Sequence, residues 1–181
     1  MLRRHILISC FTCVLSLVSR SHAQAVPTAS RSGAIQIGVA GTFINPDYTQ
    51  PYLKGFSIYG NYDIGQHLGV EGDFHYSVIT PDDISENSYL LGPRYKWRHK
   101  RFEPYAKVLF GIGRFGFQSG SYPFPSTFTY FQFAPGGGLD IRATRHINVR
   151  AFDVEFQKWP GFSPNGLSPI AYTIGVAYTL R

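Results

Sequence analysis

The residues best equipped for chemistry stand close together between Glu71 and Ser77. His75 and Ser77 are two positions apart, and Glu71 and Asp73 precede them at the same interval. A serine beside an imidazole and a carboxylate is the composition of an activated nucleophile. In an extended chain, positions two apart share a face, so all four side chains point the same way. No oxyanion hole is recognisable around them, and no catalytic residue is assigned. His67, His99 and His146 each fall in a short turn, at spacings that make no metal motif. Gly136-Gly137-Gly138 lacks the Gly-Lys-Ser/Thr ending and following helix of a phosphate loop, and reads as a bend or close backbone approach within a strand. The residues imply no metal and no cofactor.

The element that positions these side chains is the stretch Gly55 to Val78. It reads as two strands joined by a turn at Gly65-Gln66-His67. Phe56, Ile58, Tyr62 and Ile64 share one parity, and Ser57, Tyr59, Asn61 and Asp63 the other. In the second arm Val70, Phe74, Tyr76 and Val78 alternate with Glu71, Asp73, His75 and Ser77. Each arm therefore has one apolar and one polar face. Protein or lipid must cover the apolar one.

Composition favours lipid. Of the 181 residues only 15% are charged, against 16% aromatic; globular domains average about 25% charged. Mean hydropathy is −0.09, so the hydrophobic surface is carried by alternation, not by long apolar runs. One apolar run exists, Ile6 to Val18. It follows Arg3 and Arg4 and precedes the small-residue sites Ser21-His22-Ala23 and Ala23-Gln24-Ala25, which is the layout of a signal peptide. The expected division is a signal over 1–23, cleaved after Ala23 or Ala25, a linker over 24–33, and one folded unit over 34–181. Cys10 and Cys13 leave with the signal, so the mature chain has neither disulfides nor thiolate sites. The formal charge of +6 also falls, because Arg3, Arg4 and Arg20 are removed, leaving 14 basic against 11 acidic residues. That excess is too weak to indicate nucleic acid.

Further alternating segments follow: Ala34 to Phe43 ahead of the hairpin, then Ser88 to Trp97, Phe102 to Gly113, Thr127 to Ile141, Ile147 to Lys158 and Ser168 to Leu180. In Ile147 to Lys158 the apolar parity switches, from Ile147 and Val149 to Phe152, Val154 and Phe156. A one-residue slip turns every side chain to the other face, so a β-bulge is expected near Ala151. Pro93 marks a local irregularity. Longer loops are expected at 45–54, 79–87, 114–126 (the longest) and 159–167, with tight turns between them. Eight strands of about 9–11 residues, with loops long at one end only, predict an all-β, eight-stranded, antiparallel up-and-down transmembrane β-barrel.

The chain resembles the small eight-stranded outer-membrane β-barrel family, of the opacity-protein, OmpA transmembrane-domain and porin-like type. The likeness is carried by GFSIYGNYDIGQHLGVEGDFHYS, YLLGPRYKWRHKRFEPYAKVLFGIG, GGGLDIRATRHINVR and AYTIGVAYTLR. Family members commonly end on an aromatic residue that the assembly machinery reads; this sequence ends Tyr178-Thr179-Leu180-Arg181. The resemblance implies the Gram-negative outer membrane as location, with outer-membrane lipid and the barrel-assembly machinery as partners.

In such a barrel the inward parity collects Asp63, Glu71, Asp73, His75, Arg94, Lys96, Lys107, Asp140 and Arg150. An eight-stranded barrel has room inside for side chains and little else, and buried charges must pair. The expected interior is a salt-bridge network that plugs the lumen, and the expected role is structural or surface-interacting, not enzymatic. A narrow small-solute channel is the alternative. A lipid-modifying barrel enzyme using His75 and Ser77 is the third reading, since lipid A deacylases carry a His-x-Ser pair. Phe43, Tyr62, Tyr76, Tyr89, Tyr95, Trp97, Phe102 and Tyr178 suit the aromatic girdles. Tyr48, Tyr52, Phe115, Phe117, Tyr122, Phe124, Trp159 and Phe162 fall in loops, either as anchors for a surface ligand or packed against one another.

Overall fold

The computed structural model describes residues 33–47, 52–79, 84–117, 126–162 and 166–180; the predicted signal segment, like Tyr48, Tyr122 and Phe124, lies outside them. The described chain forms eight strands: β1 (Ile35–Asn45), β2 (Leu53–Asp63), β3 (Leu68–Ile79), β4 (Ile84–Lys96), β5 (Phe102–Phe117), β6 (Ser126–Arg142), β7 (Ile147–Phe156) and β8 (Ile170–Leu180). Each pairs antiparallel with the next, and β8 pairs with β1 over the whole of β1, closing the barrel. Closure pairs every strand on both sides; only the loop-end part of β6, before Gly136, extends past its ladder with β7.

Polarity is inverted relative to a soluble sheet. Ile37, Val39, Phe56, Ile58, Leu91, Phe110, Ile174 and Val176 are exposed, whereas Asp63, Glu71, Asp73, Lys107 and Arg150 are buried. Phe74 pairs with Ile58 and Tyr89 on the outer face, and its neighbour Asp73 points into the lumen. The eight girdle aromatics expected from the sequence are all exposed on the outer wall.

The parity switch in β7 has the expected cause. Asp140 of β6 pairs with Arg150 and Leu139 with Phe152, so Ala151 is the extra residue. The ladder to β8 shifts over the same residues, between Arg150 and Asp153. The bulge keeps Phe152, Val154 and Phe156 towards lipid and turns Asp153 and Glu155 inward. Pro93 falls in a short break of the β4–β5 ladder, between Leu91↔Phe110 and Arg94↔Lys107. The glycine run is a close approach: a Cβ on Gly138 would lie 2.3 Å from the Phe152 carbonyl oxygen and 2.7 Å from the Tyr105 hydroxyl.

Three expected loops are shorter than the sequence suggested, because the ladders run on past the hydrophobic segments. Leu53 and Lys54 belong to β2. Ser85, Glu86 and Asn87 belong to β4, leaving only residues 80–83 between β3 and β4. Arg114 to Phe117 belong to β5, so the connection expected to be longest shrinks to 118–125. The longest is instead 157–169, between β7 and β8. Polar outward residues at these strand ends resemble loop sequence because both face water.

Candidate functional site

The lumen holds the chemistry-bearing residues. All nine inward residues named from the sequence are buried there. Glu71 on β3 is the centre. It accepts hydrogen bonds from Lys107 Nζ at 2.7 Å, from Arg150 Nη1 at 3.1 Å and from Arg150 Nη2 at 3.0 Å. Arg94 Nη1 lies 3.2 Å from its second oxygen. Arg94 also reaches Asp140 at 2.6 Å, and Arg150 Nε reaches it at 3.4 Å. Two of these guanidiniums lie over tyrosine rings: Arg150 is 3.6 Å from the Tyr59 centroid and Arg94 is 3.8 Å from that of Tyr105. Rings at this distance attract the cations through the ring quadrupole.

A second group surrounds Lys107. Its ammonium lies 2.6 Å from Glu155 Oε1, 2.8 Å from Asp153 Oδ2 and 3.7 Å from Asp73 Oδ2. Tyr105 donates its hydroxyl to Asp153 at 2.9 Å. His75 Nε2 stands 3.4 Å from Asp73 Oδ1 and 3.3 Å from Glu155 Oε2. At the end bearing the tight turns, Lys96 and Arg98 meet Asp63, and Arg142 Nε meets Glu103 at 3.0 Å.

Towards the other end, apolar clusters stand among buried polar residues such as Glu86, Gln132 and Gln157. Ile44, Leu53 and Ala171 form one cluster, Leu90, Leu109 and Ala134 a second, and Phe115, Trp159 and Leu167 a third. Trp159 occupies the space that a side chain on Gly113 would take: a Cβ there would lie 2.2 Å from the indole. Trp159 and Leu167 also exchange main-chain hydrogen bonds, which fold the β7–β8 connection inward. Of the loop aromatics, Phe115 and Trp159 are thus interior residues, and Phe162 packs on Phe115 with ring centroids 5.6 Å apart. Tyr52 is exposed.

The His75–Ser77 pair is not assembled as a nucleophile. Both side chains point into the lumen and are buried. Ser77 Oγ donates to the Glu86 main-chain carbonyl at 3.2 Å, while the imidazole faces Asp73 and Glu155.

Glu86, Glu103, Asp153 and Glu155 are buried lumen acids that the sequence reading did not list. Carrying the parity across the Ala151 bulge would have found Asp153 and Glu155. Glu103 shares the parity of Lys107. Glu86 was hidden by reading 79–87 as a loop.

A closed eight-stranded barrel, apolar outside and charged within, defines the class of small outer-membrane barrels. The chain belongs to the outer membrane protein beta-barrel domain family, whose model matches residues 10–179. No curated protein sequence matches it. Among solved structures it is similar to Neisserial surface protein A (NspA), at 14% identity and a TM-score of 0.64, over 84% of this chain and 100% of that one. It is similar to the N-terminal β-barrel domain of Pseudomonas aeruginosa OprF, at 12% identity and a TM-score of 0.58, over 82% and 98%. It is also similar to Ail, the attachment invasion locus protein of Yersinia pestis, at 18% identity and a TM-score of 0.54, over 82% and 99%. At such identities the likeness is one of fold.

Proposed function

We propose that this barrel is a structural or surface-interacting protein of the outer membrane, that its lumen is plugged, and that it is not an enzyme. The observation that carries the plugged reading is the tie between Glu71 and Arg150. β3 and β7 stand four places apart in a ring of eight, so the bidentate contact at 3.1 and 3.0 Å crosses the full width of the lumen. A permeating solute must separate it, and separating a buried, desolvated pair costs several kcal/mol.

The surface role is supported by the wall itself. β5 and β6 run 16 and 17 residues, beyond the roughly 9–11 that a tilted strand needs to cross a bilayer. Near the loop ends of β4, β5 and β6, Ser85, Asn87, Arg114 and Thr127 stand around one shallow hollow. A wall that carries polar residues on its outside stands clear of hydrocarbon and is available to a ligand.

The competing reading is a narrow channel. Proteoliposomes containing the refolded barrel should not swell in isotonic glycine or arabinose; swelling at rates above protein-free vesicles would favour the channel. For the enzymatic alternative, Ser77→Ala should leave lipid A composition unchanged. A change in acylation would replace the non-enzymatic reading.

A further inference from the structure

The ionic arrangement around Lys107 is short of positive charge. Glu71 is answered by Arg94 and Arg150 as well as by Lys107. Asp73, Asp153 and Glu155 have Lys107 as their only Lys or Arg partner among the described residues. Burying carboxylates without enough cations is costly, so a further positive charge is called for.

The geometry around His75 indicates where it sits. Nε2 lies 3.4 Å from Asp73 Oδ1 and 3.3 Å from Glu155 Oε2. The three ligand atoms fall within 4.8 Å of one another. Both contacts are long for hydrogen bonds to a carboxylate, and the fully buried imidazole has no closer polar partner among the described residues. Three donor atoms converging at this spacing can share one central ion. Zinc–ligand distances of about 2.0–2.1 Å place tetrahedral ligands roughly 3.3–3.4 Å apart, which matches both separations.

The surrounding groups hold the set in place. Lys107 engages the far oxygen of each carboxylate, Glu155 Oε1 and Asp73 Oδ2, leaving Asp73 Oδ1 and Glu155 Oε2 turned to the imidazole. Gln157 Nε2 makes a long contact of 3.5 Å to Glu155 Oε2. Partners of this kind orient metal ligands. Glu86 faces inward on β4, two positions along the strand from Ser88, the residue paired with His75. Neither of its buried oxygens has a hydrogen-bond partner among the described residues.

We propose that Asp73, His75 and Glu155 bind a divalent first-row transition ion inside the barrel, with Glu86 as the next available carboxylate. One imidazole with carboxylates is a borderline-to-hard donor set that suits zinc, manganese or cobalt. The site has no solvent-exposed ligand, so the ion enters during folding and leaves slowly.

The test is refolding into detergent with zinc or cobalt chloride alone, followed by a chelator wash and metal analysis. Wild type should retain one equivalent of zinc. The cobalt form should show the visible d–d bands of a low-symmetry site. His75→Ala should bind more than about tenfold more weakly, while His146→Ala, in an exposed turn, should bind like wild type. Folding of every variant is checked by heat-modifiable gel mobility. Should H75A fail to fold, Asp73→Asn carries the same comparison at nearly unchanged side-chain size. Folded wild type that takes up neither ion would overturn the proposal and leave a protonated His75 as the missing charge. So would retention that is unchanged in H75A or D73N.

Discussion

Glu71 and Arg150 face each other across the full diameter of the barrel and are joined by two hydrogen bonds of 3.1 and 3.0 Å. The two residues are 79 positions apart in sequence, so the contact forms only once β3 and β7 have been brought to opposite sides of the ring. Lys107 and Arg94 converge on the same carboxylate.

Removing that carboxylate should be severe. Glu71→Gln keeps the shape but leaves Arg150, Arg94 and Lys107 short of an anion in a dry interior. The expected loss is about 3–5 kcal/mol, the range for breaking a buried ion pair from one side. Urea unfolding of the refolded protein in detergent measures it; a loss under about 1 kcal/mol, the scale of a solvated surface pair, would mean that water reaches the site.

Trp159 and Gly113 make a second test. Gly113→Val fills the seat of the indole and should expel it. In a Trp97→Phe background Trp159 is the sole tryptophan of the 181 residues, and its emission should move to longer wavelength in the Gly113→Val protein. Trp159→Ala should cost about 3–5 kcal/mol, as large aromatic truncations in packed interiors do. Unchanged emission would show that the indole does not rest on Gly113.

The outer wall should report the bilayer. Leu91 is exposed in mid-strand and Phe102 at a strand end. An arginine at Leu91 should cost about 2–4 kcal/mol, and one at Phe102 about 0–1 kcal/mol, the depth dependence of lipid-facing charge in barrels. Equal costs measured in phospholipid vesicles would argue against a membrane-spanning wall.

The Ala151 bulge should be dispensable. Ala151 is the extra residue between the Asp140–Arg150 and Leu139–Phe152 pairs, so deleting it leaves Arg150, Asp153 and Glu155 inward and Phe152, Val154 and Phe156 outward in simple alternation. The deletion variant should therefore keep heat-modifiable mobility and resist trypsin. Loss of mobility with cleavage throughout the chain would show that the bulge does more for β7 than absorb one residue.

Much of this architecture can be read from side-chain alternation alone. Strands such as β8, with Ile170, Tyr172, Ile174, Val176, Tyr178 and Leu180 on one parity, face lipid on one side and protein on the other. The Ala151 bulge was legible because the parity switch is covalent. The pairing of Glu71 with Arg150 was not, since parity assigns a face and says nothing about which partner lies opposite. Phe115 was misplaced for a related reason: an aromatic in a Gly/Pro-rich stretch reads as loop, although it belongs to β5, and only closure shows that Gly113 leaves room for the Trp159 indole. Asp73, His75 and Glu155 converge from β3 and β7, a relation that no spacing within one strand contains.

The central claim is that the Glu71–Arg150 tie and the packing above it close the lumen. Single-channel recording of the refolded barrel in planar bilayers tests it most directly. Wild type should show no steady conductance at either polarity, and a folded Glu71→Ala/Arg150→Ala/Trp159→Ala variant, which lacks both the tie and the indole packed above it, should show discrete openings. Sustained single-channel steps from wild-type protein would contradict the account and establish the channel.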